Sequence, residues 1–156
     1  MDCAFRWVVV FWLVASGVAQ AVHVLESHED LEVTSSKVLS IEIRPARQLN
    51  PDSTFYKITA SILMDSAKAD GFLCTQDMEL MWYSTRSGVP QQAYSELFTH
   101  LRTAGWKVKF VGTAGPRVHY LFTRNTAVVY AALFNPNLVQ KHNDVYDLLW
   151  CKARRS

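Results

Sequence analysis

The sequence predicts an α+β protein: one small domain with a mainly antiparallel sheet of about five to six strands and two helices packed on one face. Three observations predict it. The chain of 156 residues is 49% hydrophobic, enough for a single core and too apolar for disorder. Short runs alternate between apolar and polar residues, as half-buried strands do. They are joined by short turns, which pair strands antiparallel.

The segment before the domain reads as an address. Residues 7–15, Trp-Val-Val-Val-Phe-Trp-Leu-Val-Ala, form an apolar run after Arg6 and end in small residues up to Ala19-Gln20-Ala21. That is the pattern of a secretory signal peptide over 1–21, and the run is short of the roughly 20 apolar residues that span a membrane. No second run of that length follows, so no transmembrane helix is expected in the mature chain. Export to the periplasm or extracellular space leaves Cys74 and Cys151 as the two cysteines of the mature chain. In an oxidising compartment they are expected to pair, closing a loop of about 77 residues.

Residues 22–36 are acidic, lack an apolar period and read as a flexible arm; the domain itself is expected over 37–156. Lys37 to Arg44 alternates as a strand that Pro45 breaks. Phe55 to Met64 fits a strand better than a helix, with Tyr56, Ile58, Ala60, Ile62 and Met64 on one face. After a turn over Asp65–Gly71, Phe72 to Tyr83 is a strand with Phe72, Cys74, Met78, Leu80 and Trp82 together. Pro90 opens a helix whose buried stripe is Tyr94, Leu97, Phe98 and Leu101, with Gly105 as its stop. Three strands follow, around Trp106–Phe110, Val118–Phe122 and Ala127–Phe134. The last of these is apolar on both faces and so central. A second helix is expected from Pro136 through Leu149.

Motifs are few. No H-E-x-x-H, G-x-S-x-G, glycine-rich phosphate loop or C-x-x-C is present, and no catalytic residue, metal or cofactor is assigned. His23, Glu26, His28, Glu29 and Asp30 carry metal-binding groups but read as a solvated arm. Asp77 and Glu79, roughly 6–7 Å apart on one side of a strand, read as its wet face rather than a glycosidase pair. His142 and Asp144 read as surface residues.

The charge distribution is more informative. From Val22 to Leu80 the chain carries ten acids and five bases; from Met81 to Ser156 it carries three acids and ten bases. Lys107 and Lys109 share a strand face, as do Arg117 and His119 on the expected hairpin partner. Together they form a candidate face for an anionic partner. The expected function is an exported, non-catalytic binding or assembly module contacting another protein or an anionic envelope component, with no role for nucleic acid. Two alternatives stand beside it. One is a small extracytoplasmic hydrolase, in which His119 or His142 meets a carboxylate and a serine only in three dimensions. The other is an apolar-ligand carrier whose cavity Phe72, Trp82, Trp106 and Tyr120 line.

Overall fold

A computed structural model describes residues 31–84, 90–138 and 145–156. These residues form an antiparallel sheet of seven strands and two helices, in the order β1 (Leu31–Ser36), β2 (Ile41–Gln48), α1 (Thr54–Ala69), β3 (Phe72–Ser84), α2 (Pro90–Thr103), β4 (Lys107–Ala114), β5 (Arg117–Arg124), β6 (Ala127–Phe134) and β7 (Val145–Arg155). The spatial order is β1-β2-β3-β7-β6-β5-β4. The α+β class is as expected, with a wider sheet.

Two segments exchange their expected states. Thr54–Ala69 is a helix, not a strand. The Ser53 hydroxyl accepts the Tyr56 N–H at 3.0 Å and caps its start, and Gly71, at φ +83°, turns the chain out beyond Asp70. The alternation misled because Phe55, Ile58, Ile62 and Met64 are all exposed. The buried side is Thr59, Ala60, Leu63 and Ala67, a helical spacing. In the other direction, the expected helix from Pro136 is a 3-10 turn (Pro136–Leu138), and Val145–Arg155 is β7, the long central strand between β3 and β6. Both faces of β7 are buried over Leu148, Leu149, Trp150 and Cys151, an apolar run without a strand period. Residues 139–144 lie outside the described residues.

The two helices lie on opposite faces, not on one. Leu63 and Ala67 of α1 join Leu80, Tyr130, Ala132 and Leu149 on the first face. Tyr94, Leu97 and Leu101 of α2 join Met81, Ala131, Leu133 and Leu148 on the second. These strand residues are sequence neighbours, and successive side chains point to opposite sides.

β1 and β2 form a ribbon that only grazes the sheet. Leu31–Ser36, expected as the end of the arm, is a strand because β2 offers it a partner. β2 pairs with β3 through Arg47–Trp82 and Gln48–Met81 alone, then departs to pack on α2. Pro45 does not end β2, because it sits where the pairing register slips between Val33–Ala46 and Ser35–Glu42; a bulge there needs no N–H from proline. The ribbon is held down by paired Arg44–Glu96 hydrogen bonds of 3.0 and 2.7 Å and by Trp106 Nε1 donating to the Leu39 carbonyl at 3.0 Å.

Candidate functional site

The candidate anionic face is only partly assembled. Alternation along β4 and β5 puts Lys107, Lys109, Arg117 and His119 on the first face, the one that α1 covers farther along. Their register separates them: Lys107 lies opposite Thr123 and Lys109 opposite Leu121, whereas His119 lies opposite Gly112 and Arg117 opposite Ala114. Arg117 forms an ion pair with Asp147 across β6. His119 is 2% exposed and its Nδ1 meets Asp70 Oδ2 at 2.7 Å. Lys107 and Lys109 are exposed and have no carboxylate partner among the described residues. Two of the four basic groups are therefore consumed inside the fold.

Asp70 organises a part-buried polar cluster that sequence reading missed. It ends α1, and the same Oδ2 accepts both His119 and the Tyr130 hydroxyl, each at 2.7 Å. The His119 and Tyr130 rings also meet edge to face at 5.5 Å. A carboxylate holding one nitrogen of an imidazole is half of a serine-hydrolase arrangement. The other half needs a hydroxyl at Nε2, and that nitrogen is buried without a hydrogen-bond partner among the described residues. The geometry ties the end of α1 to β5 and β6. His142 and Asp144 lie outside the described residues, as do His23, Glu26, His28, Glu29 and Asp30.

Glu79 is the second missed group. Alternation assigns it, with Asp77, to the wet side of a strand, but it is only 6% exposed. Its Oε2 accepts the Ser36 hydroxyl at 2.5 Å and Trp150 Nε1 at 2.6 Å; its Oε1 accepts the Lys37 N–H at 2.7 Å and the Val38 N–H at 3.4 Å. The carboxylate thus clamps the β1–β2 turn onto the sheet. Asp77 is exposed and pairs with Lys152 at 2.7 Å. The register slip between Cys74 and Met78 separates these environments. The slip lies between Cys74, opposite Ala153, and Met78, opposite Cys151, and the two cysteines are joined with their Cα atoms 5.6 Å apart.

An open cleft of about 330 Å³ lies between α2 and strands β5 and β6 on the second face. Of the aromatics expected to line a cavity, Tyr120 is there. Phe72 and Trp82 pack with the opposite cluster, and Trp106 is buried in the core with its ring under Arg124, 4.6 Å away.

No helix among the described residues is long and apolar enough to cross a membrane. No protein-family model, curated protein or solved structure matches this chain.

Proposed function

We propose that the chain acts outside the cytoplasm as a non-catalytic binding module that docks on another protein. The observation that carries this reading is the outer side of α1. Phe55, Ile58 and Ile62 are 51%, 54% and 37% exposed. They recur at helical spacing, so they form one stripe flanking the buried side rather than scattered exceptions. A contiguous apolar strip on a helix whose other side already fills the core marks an interaction surface. The Cys74–Cys151 disulfide supports an oxidising compartment, and with it the signal-peptide reading of 1–21.

A second contact is favoured by Lys107 and Lys109. They project from the edge strand at the end of the first face and suit an anionic envelope component or an acidic flank of the same protein partner. Charge of this kind sets association rate and salt dependence more than final affinity.

The test uses the disulfide-bonded mature chain as bait against an extract of its own cell envelope, at low and high salt. Ile58→Asp with Ile62→Asp is expected to abolish capture while changing the melting temperature little, since both side chains are already at the surface. Lys107→Glu with Lys109→Glu is expected to remove the salt-sensitive part. Capture undiminished by either pair overturns the proposal. So does secreted protein that retains residues 1–21, for the export reading.

A further inference from the structure

The cleft on the second face has a cause in how α2 sits. The helix packs onto the β2 ribbon and β4 through Ala93, Tyr94, Leu97 and Leu101, all buried. Its flank at Gln91, Ser95, Phe98 and Arg102 follows one helical line and overhangs β5 and β6 without closing on them. Val118 and Leu133 are buried at the base. Partly exposed rings stand around it: Phe98 and Tyr120 meet edge to face with centroids 5.1 Å apart, and Phe134 is held by Tyr146 at 5.5 Å. These pairings fix the rings in place, so the walls are preformed.

The rim is not neutral. Arg102 is exposed and has no carboxylate partner among the described residues. Its place in the last turn of α2 suits a cation beside the helix C-terminus. That interaction occupies none of its donors, and the guanidinium fork matches a carboxylate. The volume is at the lower end of small-molecule sites, about 300–1,000 Å³, which are apolar pockets with a few placed polar groups.

We propose that this cleft binds a small aryl carboxylate. Its ring system lies among Phe98, Tyr120 and Phe134, and its carboxylate meets Arg102. Aromatic walls favour an aryl body over an alkyl chain, because offset and edge contacts between rings add to the area buried. Arg102, without a carboxylate partner among the described residues, selects an anion over a neutral molecule of the same shape. The site lies on the face of the sheet opposite α1, so it does not depend on the docking stripe.

The probes are 2-naphthoate and its neutral isostere 2-naphthamide, titrated calorimetrically into the disulfide-bonded mature chain at low salt. The carboxylate is expected to bind about tenfold tighter, the scale of one charge-assisted hydrogen bond at a partly exposed site. Arg102→Gln is expected to erase that difference, leave the amide's affinity unchanged and keep the melting temperature. Tyr120→Ala is expected to weaken both probes together, and its fold is checked by the unchanged disulfide and far-ultraviolet dichroism. If Tyr120→Ala does not fold, the Arg102→Gln comparison decides alone. Equal affinity for the two probes, naphthoate binding indifferent to Arg102→Gln, or no binding of either probe overturns the proposal.

Discussion

Replacing Glu79 tests how the β1–β2 ribbon is attached. The carboxylate accepts four hydrogen bonds, and their donors fare differently once it is gone. The Lys37 and Val38 N–H groups lie at a partly exposed turn and can turn to water. The Ser36 hydroxyl and Trp150 Nε1 belong to residues that are 2% and 0% exposed, so they are left as buried donors without acceptors. Each such orphan costs about 1–3 kcal/mol, so Glu79→Ala is expected to cost about 4 kcal/mol. Glu79→Gln retains one acceptor oxygen but turns an NH₂ toward groups that already donate, and is expected to cost about 2 kcal/mol. For a domain of this size these losses lower the melting temperature by about 4 °C per kcal/mol. Denaturant midpoints at constant slope give the values, and hydrogen exchange locates them. Protection is expected to fall first in Ser36–Ser40 and at β2, where pairing to β3 is shortest. A Glu79→Ala midpoint within error of the parent, or a loss of protection spread evenly over the sheet, would refute the clamp.

Burial raises the phenol pKa of Tyr83, Tyr94 and Tyr130 above the ordinary 10.0, and for Tyr130 the hydrogen bond to Asp70 adds to it. A pKa raised by folding gives stability that is complete below the unfolded value and is lost as pH rises above it. The denaturation midpoint is therefore expected to fall above about pH 10, with phenolate absorbance from these residues appearing only on unfolding. Ionisation of every tyrosine near 10 in the folded chain would contradict this. Reducing the Cys74–Cys151 bond, whose partners are 77 residues apart, is expected to cost about 4 kcal/mol by loop-closure entropy, read as a lower midpoint in reductant. Asp70→Ala leaves His119 Nδ1 and the Tyr130 hydroxyl without their shared acceptor and is expected to cost about 2–4 kcal/mol, whereas Asp70→Asn, which keeps an acceptor oxygen, should recover roughly half. Ser53→Ala removes the α1 cap and is expected to cost about 1 kcal/mol in the same assay.

β6 is legible as an unbroken apolar run; α2 and the first half of β3 have one side buried and the other wet, and their periods show it. The two exchanged elements do not show that contrast. α1 has apolar residues on its solvent side, so Tyr56, Ile58, Ala60, Ile62 and Met64 imitate a strand. β7 is buried on both faces from Leu148 to Cys151, and its period disappears there. The candidate site is legible in part for a related reason. Alternation puts Lys107, Lys109, Arg117 and His119 on one face, but only the register shows them spread along the ribbon, and no local pattern foretells that Asp70 and Asp147 reach two of them. Glu79 escapes the pattern because Asp77, two residues before it, is wet, and the β1–β2 turn that buries Glu79 comes from more than forty residues away.

By itself, the sequence determined the α+β class, the cysteine pair, the helix from Pro90 and the unequal charge of the two halves. These rest on composition and on contacts between near neighbours along the chain. The tertiary structure alone decided what that charge does. Asp70 with His119, Asp77 with Lys152 and Glu96 with Arg44 join an acid of one half to a base of the other, while Asp147 takes up Arg117 within the basic half. A pairing of residues far apart in sequence depends on sheet order and register, which composition does not encode. The groups left open among the described residues include two lysines on an edge strand, one arginine over an aromatic cleft and an apolar stripe on α1.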